Sequence, residues 1–337
     1  MSKSEAYIQH PEKVLEATGN FKHIMAIALD PSSGYSKGLA RCIVSREGDV
    51  TKKGYVDRSQ IRLIQGIFPE RFEIGNELKI TESEKILPFL GNEKTEFIGL
   101  EDPDIFVDGS MTHIYFTLPY IDKTEHHSLI HLGHAEGRGL DSLKMTMPVL
   151  RHASGTASAK ELSVAPINSK NVRLNLFESS KKEKDFDYSV VRVAVAKDMS
   201  GPWEFGPIVF HPKEHGIPWI GGHASPGPLL PKTFIDIGEN KLVGIMNGRE
   251  ANKKVGDETK YGMFSVGLFI YDYENGKIDW VSPEPLIQDT EAKTITFASQ
   301  FIETKPGEGI LYAHVDDSFV RAYTLKAGGI KKLLPGT

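Results

Sequence analysis

Cysteine is almost missing from this chain of 337 residues: Cys42 is the only one. An intrachain disulfide and a metal centre built on several thiolates are therefore excluded. The N-terminus, MSKSEAYIQHPEKV, lacks the apolar stretch of a signal peptide, and with the single thiol this leads us to expect a cytoplasmic protein. No run approaches the roughly 20 apolar residues that a membrane-spanning helix needs. Basic charge is not in excess either. Forty Lys and Arg against 45 Asp and Glu leave a formal charge of -5, which offers no general attraction for nucleic acid or an anionic membrane. Neither is expected as a partner, whereas self-association into a homo-oligomer stays open. A phosphate-cradling glycine loop and a nucleophile elbow are both absent, and helical periodicity is scarce.

What the chain does have is strands. HIYFTLPYI, SLIHLGHA, VRLNLFES, YSVVRVAVA, KLVGIMN, FSVGLFIYDY, GILYAHV and SFVRAYTL alternate, or run apolar for a few residues, between turn signals. A weak repeat is visible in LGHAEGRGLDSLKM, VRVAVAKDMSGPWEF and VGLFIYDYENGKIDWV: an Ala, Val and Gly-rich strand, an acidic turn, then Trp or a bulky apolar residue. Units of roughly 40 to 50 residues match four-stranded propeller blades. Five inner strands are expected near FKHIMAIAL, FIGLEDPDIF, KELSVAPI, HASPGPLLP and ITFASQFIE. The fold expected is all-β, a five-bladed β-propeller forming one domain over residues 1–337, with the first ~20 residues as an extension. A pair of β-sandwiches with long loops is the competing architecture. Segments 68–95 and 206–221 read as connections between blades, and the charge run 178–187 as a solvated hairpin tip.

Carboxylates then draw attention. FIGLEDPDIFVDG sets Glu101, Asp102 and Asp104 in an otherwise apolar strand. In a propeller the first strand of each blade lines the central channel, so Asp102, restrained by Pro103, is expected at its mouth. Asp30 in AIALDPSSG and Glu161 in SAKELSVAP take corresponding places. Clustered carboxylates push their pKa values apart, which suits glycosidic cleavage by an acid and a base or nucleophile. Asp102, crowded by Glu101 and Asp104, is the expected acid, and Glu161, or else Asp30, the base. The alternative for Asp30 and Asp102 is an Asp-Pro turn that caps backbone amides.

These same segments resemble glycoside hydrolase family 130, β-mannoside phosphorylases and related hydrolases built as five-bladed propellers. IGLEDPDIFVDGSMTHIYFT carries the likeness, followed in order by SLIHLGHAEGRGLDSL, AKELSVAPI, VRVAVAKDMSGPWEF, SPGPLLP, YGMFSVGLFIYDYENGKIDWVSPEPLI and ILYAHVDDSFVRAYTL, over roughly residues 95–325. The resemblance implies that Asp102 is the general acid, acting through a sugar hydroxyl, and that Lys160 and Glu161 stand for a Lys-Asp pair whose lysine helps bind an anion. It implies a β-linked, mannoside-like oligosaccharide as substrate and inorganic phosphate as the co-substrate of the phosphorylases, with no other cofactor. Three positions depart from the pattern: Asp104 replaces an Arg, Met246-Asn247-Gly248 a Tyr-His-Gly, and Phe264-Ser265 a Tyr-Arg. Each change subtracts donors or charge from anion recognition. Lys160, Arg192, His223 and Arg249 remain to compensate, and hydrolysis is favoured over phosphorolysis. Furanosidase propellers such as arabinanases share the three-blade acidic pattern, and a carbohydrate-binding propeller without catalysis is the non-enzymatic alternative.

His223, His314, Asp317 and Asn247 are expected to touch substrate, and Trp219 to offer a platform for a sugar ring, while Trp203 and Trp280 pack between blades. His126, His127, His131 and His134 suggest a metal, but a zinc site needs three or four converging ligands, and none is expected there.

Overall fold

A computed structural model describes residues 5–19, 21–52, 54–122, 128–152, 157–183, 186–256 and 258–336. The alternating segments become antiparallel meanders, each strand hydrogen-bonded to the next along the chain. Sheet I comprises His23–Leu29, Lys37–Glu47, Val56–Ile67 and Arg71–Glu77. Sheet II comprises Glu101–Asp108, Met111–Asp122, Ser128–Gly137 and Lys144–Met145, with Thr95–Phe97 paired to the far end of Met111–Asp122. Sheet III runs Lys160–Ser163, Arg173–Glu183, Phe186–Ala196, Glu204–Phe210, and sheet IV runs His223–Leu229, Lys241–Arg249, Phe264–Asp272, Lys277–Val281. A single parallel bridge, Ser189 to His223, links these two.

Sheet V holds Thr296–Lys305, Glu308–Val315 and Phe319–Lys326, and its fourth strand comes from the other end of the chain: Tyr7–Glu16 pairs with Phe319–Lys326. The expected N-terminal extension is thus part of a sheet, where it covers an edge that would otherwise be left open. The segments read as connections also hold outer strands, Arg71–Glu77 and Glu204–Phe210. They escape a pattern reading because an outer strand is exposed along much of its length, and apolar alternation is weak there.

The apolar faces meet between consecutive sheets. Ala28, Leu39, Ile105 and Ile114 join I to II; Tyr115, Leu132, Phe177 and Ala194 join II to III. Leu176, Val191, Met246 and Phe269 join III to IV, and Val243, Leu268, Leu311 and Tyr323 join IV to V. Ile24, Ala40, Tyr312 and Val320 join V back to I, with Cys42 buried in that last layer. Side-chain amides tie neighbouring sheets: Asn247 exchanges two hydrogen bonds with the backbone of Ala298 (2.8 and 3.0 Å), and Gln300 does the same with Leu29 (2.6 and 2.9 Å). Trp203 and Trp280 pack as expected, the first fully and the second partly buried. Among the described residues no helix is long and apolar enough to cross a membrane.

Candidate active site

Each inner strand breaks register against its neighbour: at Met25/Ile27, Glu101/Asp104, Lys160/Leu162, Pro226/Leu229 and Ala298/Gln300, with a second break at Glu303/Lys305. A bulge re-aims a side chain, and residues at these breaks, Ala26, Asp102, Glu161, Gly227 and Ser299, line one cavity at the centre of the molecule. Three of these five bulges are neutral. The other two present acids, and both acids adopt the left-handed backbone region, with φ of 46° at Asp102 and 49° at Glu161. A side-chain-bearing residue held there costs about 1–3 kcal/mol, and such strain collects at functional sites.

Arg41, from the second strand of sheet I, explains the acids of the Glu-Asp-Pro stretch. Its Nη1 donates to both Asp102 oxygens (2.9 and 3.1 Å), its Nη2 to Glu101 Oε1 (2.6 Å) and its Nε to Ser59 Oγ (2.9 Å). Glu101 is raised to about 7, by burial and by the charge of Asp102, against the pull of Arg41. Burial also pushes Asp104 up to about 7, although its carboxylate accepts the Ile105 amide. Asp102, expected as the acid, has both oxygens held by the Arg41 guanidinium.

Glu161 has the opposite surroundings. Burial first, and then the neighbouring Asp102 charge, hold its pKa well above the usual carboxylate range, with Lys160 only partly offsetting them. Lys160 pairs with Glu178 Oε1 at 3.3 Å, and His223 Nε2 lies 3.1 Å from the other Glu178 oxygen. Burial works against ionisation of Glu178, yet His223 and Lys160 together bring its pKa below the ordinary value. Glu178 and Ser179 are each 1% exposed, which corrects the reading of 178–187 as solvated; residues 184–185 at the tip lie outside the described residues. Paired strands bury the first part of that run, because Glu178 lies opposite Lys160 in the register.

A third group closes the rim. Arg46 binds both oxygens of Asp57 (2.6 and 2.7 Å) and Asp317 Oδ2 (3.0 Å), while Asp317 Oδ1 lies 3.5 Å from His314 Nε2. His314 also accepts the Ala26 amide and stacks on Phe297. Above this rim, loops of sheets I and IV meet: the Tyr261 amide donates to the Thr51 carbonyl, and Lys52 pairs with Glu258. Arg249 lies 4.2 Å from the centre of the Tyr261 ring and donates to Asn252. Tyr55, 40% exposed, stands beside Arg46.

Four predicted residues are not gathered here. Asp30 lies five residues along its strand from Met25, the partner of Arg41, a separation of about 16 Å, and its carboxylate caps its own turn through Ser32. Asn247 spends its amide on the Ala298 backbone. Trp219 is 6% exposed, donates to the Ser282 carbonyl and fills the space over Gly248 and Gly267, so it is a packing residue rather than a sugar platform. Arg192 lies opposite Phe177 on the third strand of sheet III, where burial lowers its pKa. Arg41, Arg46, Asp57, Glu178, Tyr55 and Tyr261 were not anticipated; each reaches the site from another sheet or loop, and only the charge run held a hint of one of them.

No family model matches the chain, and no curated protein does. Solved structures do. A β-1,2-mannobiose phosphorylase from Listeria innocua, in complex with β-1,2-mannobiose, superposes with TM-score 0.63 at 14% identity, over 99% of this chain and 98% of that one. A mannose phosphorylase from Leishmania mexicana in complex with a phosphate ion gives 0.54 at 13%, over 95% and 89%. The Bacillus subtilis arabinanase gives 0.51 at 10%, over 95% and 97%. The shared feature is the nearly all-β, propeller-type fold.

Proposed function

We propose that the chain is a single-domain, five-bladed propeller related to glycoside hydrolase family 130, and that it hydrolyses a β-linked, mannoside-like oligosaccharide at the mouth of its channel. The five meanders, packed pairwise with sheet V returning to sheet I, support the blade count. The observation that carries the chemistry is the pair of left-handed bulge acids, Asp102 and Glu161, opening on one cavity.

Their surroundings divide the labour. Glu161, whose burial favours the protonated form, donates its proton to the leaving glycosidic oxygen; Asp102, both oxygens held by Arg41, supports attack at the anomeric carbon. Tyr55 and Tyr261 at the rim give the sugar an aromatic surface, and His314 and Asp317 its hydrogen-bonding partners.

Water rather than phosphate is the second substrate in this reading, because three cations of the site are already paired with carboxylates. Arg41 serves Glu101 and Asp102, Arg46 serves Asp57 and Asp317, and Lys160 serves Glu178. An incoming phosphate would meet more carboxylates than free donors. A screen of β-mannosides and arabinofuranosides with and without phosphate, following free sugar and sugar phosphate separately, tests both parts. Free sugar released at the same rate in both conditions is expected; sugar phosphate formed far faster than free sugar would make the enzyme a phosphorylase, and no cleavage of any glycoside would leave a binding propeller.

A further inference from the structure

We propose that His113, His134 and Glu136 form a binding site for a divalent transition metal of the zinc class, on sheet II. The three sit on neighbouring strands of sheet II, where His113 lies opposite Glu136 and Tyr115 opposite His134. His113, His134 and Glu136 therefore point to one face of the sheet. One ligand atom from each lies within 4.8 Å of the others. His113 Nδ1 is 3.0 Å from His134 Nε2 and 3.7 Å from Glu136 Oε2. A tetrahedral zinc with bonds of about 2.0–2.1 Å needs neighbouring ligand atoms about 3.3–3.5 Å apart. The observed spacings lie on either side of that value, so small side-chain rotations suffice.

The surrounding hydrogen bonds prepare the donors. Thr146 Oγ1 donates to the Met147 carbonyl and lies 2.7 Å from His134 Nδ1, so it accepts the Nδ1 proton. The lone pair of His134 is then on Nε2, facing His113. Ser200, from the loop after the third strand of sheet III, donates to Glu136 Oε2 at 2.6 Å, the kind of outer partner that orients a carboxylate ligand. Without metal, His113 Nδ1–H donates to His134 Nε2. On binding, His113 takes the Nε2–H tautomer by exchange with water, and its Nδ1 lone pair coordinates; neutral imidazoles and a carboxylate complete a His2Glu set. Glu136 is 33% exposed in its side chain, which leaves a coordination position for water. His113 lies four residues along its strand from Thr117, the partner of Glu101, or about 13 Å, and Tyr115, which lines the acid cavity, packs on the His134 ring between them. Through Ser200 the cluster joins sheet II to sheet III, so a structural role is the one assigned.

The test uses tag-free, chelator-treated full-length protein titrated with zinc by calorimetry and with cobalt by visible absorption. One metal per chain, a tetrahedral cobalt spectrum and a rise in the thermal midpoint with zinc are expected. Glu136→Gln and His113→Gln should each weaken binding by at least about tenfold and remove the midpoint shift. Should His113→Gln fold poorly, the half-exposed Glu136→Gln reads the same point. Absence of saturable one-to-one binding, or binding that neither substitution weakens, would reduce the cluster to a buried histidine pair.

Discussion

Asp30-Pro31 and Asp102-Pro103 are the same dipeptide at opposite ends of the inner strands of neighbouring sheets. Asp30 follows the last residue of its strand, has a φ of -83°, and gives its carboxylate to Ser32, two residues away. Asp102 is the second residue of its strand, has a φ of 46°, and gives both oxygens to Arg41, 61 residues away on another sheet. A carboxylate satisfied by its own turn contributes locally, and another capping residue can replace it. One satisfied across a sheet interface is placed by the whole fold, in a strained backbone, and lines a cavity with Glu161. The dipeptide does not determine the role; its position along the strand does.

The largest expected effect separates the two positions outright. Asp102→Asn keeps size and should lower turnover by about two to four orders of magnitude, with the far-ultraviolet circular dichroism unchanged. Glu161→Gln should be as damaging on an ordinary glycoside but mild on an aryl glycoside whose leaving group needs no proton. Asp102→Asn should stay slow on both and be partly rescued by azide. The reverse pattern would return the proton to Asp102 and overturn the division of labour drawn from Arg41.

Removing the long-range partner is the next test. Arg41, Glu101 and Asp102 have side chains 7%, 12% and 8% exposed, and breaking a buried ion pair by deleting one partner costs about 3–5 kcal/mol. Arg41→Met should lower stability to urea by that order at pH 8. The deficit should shrink at pH 4, because carboxyls left without a cation take up protons more readily in the folded variant than in the unfolded chain. A deficit that does not change with pH would mean that Arg41 acts through packing alone.

How much of this could be read beforehand follows from the range of each interaction. The second and third strands of sheets II to V are legible through apolar alternation or short apolar runs, the inner strands through their place before them in the repeat, and Glu101 to Asp104 through charge in an apolar strand. The bulges are not, because a left-handed φ at Asp102 or Glu161 has no glycine to mark it. Arg41 lies within the buried, apolar run 38–43, and nothing nearby in sequence marks its partner. Glu178 was hidden in a run of charges, where composition says solvent and register says interior. Trp219 was misjudged because a Gly-rich loop suggested an opening, whereas Gly248 and Gly267 leave the space that its ring fills.

A smaller effect comes from pH. Asp104 and Glu101 are pushed up to about 7 from ordinary values of 3.8 and 4.5, so the folded state binds protons that the unfolded chain has released. The stability they contribute is complete below the ordinary values and is lost as pH rises through about 7. Glu178 works the other way: its lowered pKa gives stability that is present above 4.5 and lost as pH falls. Asp104→Asn should therefore flatten the decline in thermal midpoint between about pH 4 and 8 and leave the acid side unchanged. An unaltered profile would place the titration elsewhere.

The smallest effect is on the other side of the comparison. Asp30 accepts the Ser32 amide and hydroxyl at 2.9 and 2.7 Å and caps the turn Pro31–Ser33. Loss of a capping side chain costs about 1 kcal/mol, so Asp30→Ala should lower the thermal midpoint by a few degrees, and Asp30→Ser, which keeps an acceptor oxygen, should recover most of that. Turnover should not change in either variant, since the carboxylate is directed into its own turn about 16 Å from the Arg41 level. A collapse of turnover in a folded Asp30→Ser protein would put this aspartate back among the catalytic groups, and strand position would no longer distinguish the two Asp-Pro pairs.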